Sequence, residues 1–254
     1  MKHAIRSAVF LFSLLLSLTG FAAAVIETAN GQVRAGATAK AATAASAGQR
    51  VEAGTTVVTG PKSLATLRFD DGQYMLLHEN TEFRVAQYSF SKNEPAKDRF
   101  VFELLRGALR SVTTVITNRN PKAYLVRMPM ATIGIRGTDY MAAVVNPGFL
   151  SVTIGAIQVS NAAGAVTFAA GTTGFVATAS ALAVTIPAVS LPASVSAAFS
   201  QLGSIAVGAA GAAGAAGAAA GGVTPAAAAL GAAVAAGVAA AVADEGTTPA
   251  TATK

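Results

Sequence analysis

Residues 128–145 read Met128-Pro129-Met130-Ala131-Thr132-Ile133-Gly134-Ile135-Arg136-Gly137-Thr138-Asp139-Tyr140-Met141-Ala142-Ala143-Val144-Val145, and the rest of the chain is interpreted around them. With the period-two alternation of a strand, Ala131, Ile133 and Ile135 share one face and Thr132, Gly134 and Arg136 the other, so the apolar set marks the core side. Gly134 and Gly137 flank the arginine. Inside a strand pattern a glycine signals a bulge, a positive φ or a backbone passing too close for a Cβ. Arg136 has two readings. In the structural one it ties strands together through carbonyls and Asp139, since an unpaired buried charge costs several kcal/mol, and Arg136→Ala then costs on the order of 2 to 4 kcal/mol. In the functional one it is a bidentate donor to a ligand carboxylate or phosphate. The first is favoured, which makes Gly134, Arg136, Gly137, Thr138 and Asp139 a motif with a structural role.

Outward from this stretch, strand-like runs recur about every ten residues, each closed by turn chemistry. Val51 to Val58 ends at Gly60-Pro61, and Leu64 to Phe69 is followed across Asp70-Asp71-Gly72 by Gln73 to Leu77. Asp-Gly between two such runs is a hairpin signal, because its residues tolerate the positive φ of a type I′ turn. Further runs are Glu82 to Phe90, Arg99 to Leu105, Ala108 to Thr117 and Ala123 to Met128. Beyond the centre come Leu150 to Ile154, Ala156 to Val159, Val166 to Ala169, Gly174 to Thr178 and Leu182 to Ile186. Ser91 to Asp98 reads as a solvated loop, and Asn118-Arg119-Asn120-Pro121 and Asn146-Pro147-Gly148 as turns. Many short strands at regular spacing predict an all-β fold, a twisted antiparallel sandwich or a solenoid-like stack.

The run ATIGIRGTDY, with a proline two residues before its first alanine, resembles the signature of the FecR-type periplasmic domain; Met128 stands where that signature usually has threonine. Thr59-Gly60, Ala65-Thr66-Leu67-Arg68-Phe69, Asp71-Gly72 and Leu104 to Arg110 with Gly107 match the remaining pattern in order, over roughly Gly31 to Gly155. The resemblance implies an all-β domain of the cell envelope. Proteins of that family act as transmembrane sigma-factor regulators receiving a signal from an outer-membrane transporter. This chain departs from their layout, because it opens with a signal peptide instead of a cytoplasmic regulatory domain and a single span.

That leader comprises basic Lys2 and Arg6, an apolar run from Ala8 to Leu18 that is shorter than the ~20 residues of a membrane span, and Ala22-Ala23-Ala24 as a small-residue cleavage site. Cleavage is expected after Ala24. The expected organisation is then a signal peptide over 1–24, a lead-in over 25–47, a FecR-like all-β domain over 48–186, a short helix over 187–202 and an Ala/Gly-rich tail over 203–254. Within the lead-in, a first strand is expected near Gln32 to Arg34 and loose packing over Ala35 to Ala47. Val195, Phe199 and Leu202 fall at helical spacing after Pro192, a helix suited to covering a sheet edge. In the tail, Gly208 to Gly222 is low-complexity, and Thr224 to Ala243 has the N-cap, the proline and the regular Leu/Val spacing of a helix. Three fates stay open for residues 224–243: packing on protein, membrane association, or disorder. The segment is mostly alanine and lacks flanking Lys or Arg.

The chemistry is mostly exclusion. The 254 residues contain no cysteine and two histidines, of which His3 lies in the leader. No disulfide, thiolate site or cofactor motif is expected, and the usual general bases and nucleophiles are lacking, so an enzyme is disfavoured. Ser89-Phe90-Ser91-Lys92 fits SxxK in isolation, without the companion motifs. Asp70-Asp71 is read as hairpin chemistry before a calcium pair, and His78 as structural. The formal charge of +6 includes the leader's cations and gives no nucleic-acid footprint. Arg99, Arg106, Arg110, Arg119, Lys122 and Arg127 are read as a solvated face, the alternative being contact with an anionic envelope polymer. The function expected is a non-enzymatic envelope binding, sensor or adaptor module, whose partner is an unidentified envelope protein or polymer. The alternative is a structural envelope protein that associates with membrane or with itself through its tail.

Overall fold

The computed structural model describes residues 22–113 and 120–207. Its strands are β1 (Ala22–Asn30), β2 (Val33–Gly36), β3 (Thr43–Ala44), β4 (Arg50–Glu52), β5 (Thr56–Thr59), β6 (Leu64–Phe69), β7 (Tyr74–Leu77), β8 (Glu82–Ser89), β9 (Arg99–Val112), β10 (Tyr124–Arg127), β11 (Thr132–Val144), β12 (Gly148–Asn161), β13 (Gly164–Ala169), β14 (Thr173–Val176) and β15 (Val184–Ile186), followed by the helix α1 (Ala193–Ser204). All the strands join one sheet, in which β9 and β10 run parallel and the other neighbours antiparallel.

Three glycines fold that sheet over. Gly107 in β9, Gly137 in β11 and Gly155 in β12 have φ of +85°, +56° and +76°, a region that side-chain-bearing residues rarely adopt. Each long strand changes partners there. The first half of β9 lies between β8 and β10, and its second half between β7 and β11. β11 likewise leaves β10 for β9, and β12 leaves β14 for β13. One layer therefore contains β3, β2, β5, β8, the start of β9, β10, the start of β11, the end of β12 and β13. The other contains β4, β1, β6, β7 and the remaining halves, with β14 and β15. The fold is thus an all-β sandwich whose corners are strands that cross from one layer to the other.

The main core lies between the layers. Phe69 of β6 meets Phe102 of β9 at 5.1 Å and Tyr88 of β8 at 5.4 Å between ring centroids. Phe83, Leu67, Met75, Ile133 and Ile157 are wholly buried around them. A second cluster sits on the outside of the second layer, where Leu76, Ala108, Met141, Ala143 and Phe149 receive Val195, Ala198, Phe199 and Leu202 of α1. The helix thus covers a sheet face, not an edge, because alternate residues of β7, β9 and β11 are apolar on both sides.

Several expectations change. Arg99–Leu105 and Ala108–Thr117 join through Gly107 into one strand to Val112, and Leu150–Ile154 joins Ala156–Val159 through Gly155, because glycine bends these strands without ending them. Within the lead-in, β1 pairs with both β4 and β6 and β2 pairs with β5, burying Ile26 and Val33; over Ala35 to Ala47, Ala35 and Ala42 are buried and most of the other residues are exposed. Ala24 is also fully buried and pairs with Val51 and Phe69, so a chain cut after Ala24 gives up those pairs. The β6–β7 turn is a three-residue loop closed by Gly72 N–H to Phe69 O (2.9 Å), with only Gly72 at positive φ (+84°), so it is not type I′. The apolar leader, residues 114–119 with the start of the Asn118 turn, the low-complexity run and the expected helix over 224–243 lie outside the described residues. No helix among the described residues is long and apolar enough to cross a membrane.

Candidate functional site

The corner at Gly137 divides the central motif between the two layers. Ala131, Ile133 and Ile135 are buried as their alternation requires, while Gly134 and Arg136 face outward on the first layer and Arg136 is exposed. The expected pairing of Arg136 with Asp139 does not form. After the corner, Asp139 points to the helix side of the second layer and takes Arg110 instead, with Nε to Oδ1 at 2.9 Å and Nη2 to Oδ2 at 2.6 Å. Arg110 Nη1 also donates to the carbonyls of Leu202 (3.0 Å), Gly203 (3.3 Å) and Ile205 (2.8 Å), closing the C-terminus of α1. Arg110, expected on a solvated face, is instead the strand arginine enclosed in an ion pair, with its side chain 12% exposed, whereas Arg136 is exposed. Thr138 is buried, and its N–H bonds Thr113 Oγ1 at 2.8 Å.

Arg136 borders a groove of about 780 Å³ on the outer face of the first layer. Strand register builds its floor: Leu125, Gly134, Gln158 and Thr167 form one row across β10, β11, β12 and β13, and Arg136, Ala156 and Ala169 form the next. Gly134 and Ala156 leave the middle low. Gly134 is not a close-approach glycine, since a Cβ built there meets nothing within 4 Å. Its lack of a side chain leaves space in the groove and relieves no crowding. Lys122 lines the same groove, so an apolar floor is bordered by two cations and by the amide and hydroxyl of Gln158 and Thr167. Such a surface suits an extended ligand carrying a carboxylate or phosphate, which Arg136 can grip with two parallel N–H donors. Gln158 and Thr167 were not singled out in the sequence, because alternation marks them as outward-facing and nothing local distinguishes them from solvent-facing residues.

Several of the remaining candidates have partners within the fold. His78 Nε2 lies 2.6 Å from Gln201 Oε1 and helps hold α1. Arg106 pairs with Glu82 at 3.2 Å, Arg127 lies 4.0 Å from Glu103, and Arg99 donates to Gln87 at 3.0 Å, so these cations serve neighbouring strands. Arg119 lies outside the described residues. Among the described residues no cluster of His, Asp and Glu is placed to hold a metal.

Beneath the corner lies a buried polar group. Ser111 Oγ is 2.8 Å from Tyr124 Oη, and Tyr124 and Tyr140 hydroxyls are 3.5 Å apart. Burial pushes both phenols well above the ordinary tyrosine range. Nearby, burial raises the Asp71 carboxyl to about 6, against the Gln73 N–H and the Tyr88 hydroxyl, which hold it down. Between the ordinary carboxylate value and 6, the folded protein keeps a proton that the unfolded chain has released, so stability falls as pH rises through that window. The expected loss between pH 4 and 7 is on the order of 2 kcal/mol. Asp71→Asn keeps an oxygen acceptor without the charge and should flatten this dependence in urea melts at the two pH values. A mutant as pH-dependent as the parent would show that Asp71 is not the group responsible.

Residues 55–167 match the FecR protein family. This stretch of the chain is a FecR domain. The FecR match begins just before β5 and ends within β13, so β1 to β4, β14, β15 and α1 extend the sandwich beyond it. Two crystal structures of a candidate anti-sigma factor from Parabacteroides distasonis, at 1.65 Å and 2.50 Å, are similar to this FecR-domain protein at 12% and 13% identity with TM-scores of 0.41 and 0.42. The overlap covers 52% of this chain and 58% of that one, so the chain spans little more than half the length of the protein it is compared with. No curated protein matches the chain.

Proposed function

We propose that this FecR-domain protein is an exported, non-enzymatic sensor or adaptor of the cell envelope, and that the groove beside Arg136 is where it receives its partner. The observation that carries this reading is the exposure of Arg136: the signature arginine is turned to solvent beside an open groove, whereas its neighbour Asp139 is bound within the fold. The partner is an envelope protein or polymer that presents an anionic group on an extended segment. The FecR family supports an envelope location, and the leader-like first residues support export. The absence of cysteine and the single histidine beyond the leader support a role without catalysis.

The test combines stability with capture. Arg136→Ala should leave the unfolding free energy within about 0.5 kcal/mol of the parent, as surface substitutions do. Crosslinking in intact envelopes should then recover much less partner. Gly134→Leu fills the groove without touching a charge and should give the same pair of results. If both variants capture the partner as the parent does, the groove is not the receiving site.

A further inference from the structure

β13 ends the first layer and pairs with β12 alone, in unbroken antiparallel register from Ala156↔Ala169 to Asn161↔Gly164. The bond from Ala170 N–H to Gly155 O at 2.9 Å fixes which residues of that ladder exchange hydrogen bonds. Because bonded pairs alternate in an antiparallel ladder, Gly164, Val166 and Phe168 turn their backbone groups toward β12. Ala165, Thr167 and Ala169 turn theirs away, and all three are exposed. Of these outward groups only the Ala169 carbonyl has a partner among the described residues, in the N–H (3.1 Å) and hydroxyl (2.6 Å) of Thr172. Sheet edges are normally blunted by a charge, a proline, a bulge or extreme shortness. The sequence Gly-Ala-Val-Thr-Phe-Ala of β13 has no charge and no proline, and its register contains no bulge.

We propose that β13 pairs antiparallel with β13 of a second copy of this chain, about a two-fold axis at Thr167. Residues opposite one another across a ladder share a face. The core face of β13 carries Val166 and the buried Phe168, and the outer face carries Ala165, Thr167 and Ala169. A two-fold pairing that keeps core with core must be centred on a residue. Centring on Val166 engages only Ala165 and Thr167 of each strand. Centring on Thr167 sets Thr167 against itself and Ala165 against Ala169 on either side, so the two Thr167 residues exchange both bonds and each Ala169 N–H donates to the Ala165 carbonyl opposite, the Ala169 carbonyl being held already by Thr172. The same register places Val166 opposite Phe168 of the second copy on the core side and joins two threonines on the outer side, both favourable cross-strand pairs. The strand matches itself along its length and carries no charge to repel its copy, which favours an isologous dimer over an unrelated strand.

Sedimentation equilibrium of the full chain over a concentration series should show a species of twice the chain mass. Thr167→Pro removes an outward N–H that β12 does not use and should weaken association by about tenfold or more, with helix and sheet signals kept. If that variant fails to fold, Thr167→Lys serves instead, setting two like charges at the axis. The chain has no cysteine, so Thr167→Cys tests the register directly. Under mild oxidation it should form a disulfide-linked dimer, and Thr153→Cys, also exposed, should not. A parent that is monomeric at every concentration, a dimer that survives both Thr167→Pro and Thr167→Lys, or an edge occupied only by a strand from another protein would each overturn the proposal.

Discussion

Replacing Arg110 by alanine is expected to destabilise the domain by about 3–5 kcal/mol, the range for removing one partner of a buried ion pair. The side chains of Arg110 and Asp139 are 12% and 8% exposed, so without the guanidinium the carboxylate is left charged and enclosed. The three carbonyls at the end of α1 lose their donor in the same step. Arg110→Lys should recover little, because an ammonium cannot grip both carboxylate oxygens and still reach the helix end. Removing Asp139 as well should return part of the loss, since no unpaired charge then remains. Urea melts of the two single variants and the double variant measure this coupling. A loss below about 1 kcal/mol for Arg110→Ala would place the pair with ordinary surface bridges and would sink the interpretation.

Gly155→Ala is expected to cost about 3 kcal/mol or more, from left-handed strain together with overpacking. A Cβ at Gly155 would sit 2.0 Å from the Gly137 carbonyl oxygen and 2.9 Å from that of Arg136, so two backbones must move apart at the corner. Gly171 provides the comparison. Its φ is +80°, close to the +76° of Gly155, but a Cβ there meets nothing within 4 Å. Gly171→Ala should therefore cost only about 1 kcal/mol, the conformational part alone. Equal midpoints for the two variants would mean that the corner relaxes without cost and that the crossing strands are not pinned there.

The class of fold was legible because alternation and turn residues are local signals. Leu64 to Phe69 and Gln73 to Leu77 became β6 and β7 almost unchanged, with the Asp-Gly turn between them. The corners were not legible. A glycine that bends a strand and a glycine that ends one look alike until the neighbouring strands are known, so β9 and β12 were each divided in two. The motif Gly134 to Asp139 is visible in the sequence but the partners of its charges are not, for the same reason. Arg136 and Asp139 are three residues apart, yet the corner at Gly137 turns them toward different layers, and the true partner lies on β9, 29 residues before Asp139. Arg110 carries a sequence signal of its own: it stands between Leu109 and Ser111 in a strand apolar on both faces, where a solvated arginine is unexpected. The groove rests on four strands meeting in register, which no single window of sequence contains.

β9, β11 and β12 each run through both layers, and this decides how the domain comes apart. Neither layer owns a complete set of strands, so one cannot open while the other stays closed unless three strands break their ladders at the corners together. Amide protons on β8 and on β6, in different layers, should therefore exchange with solvent through one shared event, with similar free energies. The helix α1 is the exception. It belongs to no ladder and is held by the Phe199 and Leu202 contacts with the Arg110 clamp, so it can detach while the sandwich remains closed. The described residues should thus unfold as a single cooperative block carrying one removable part.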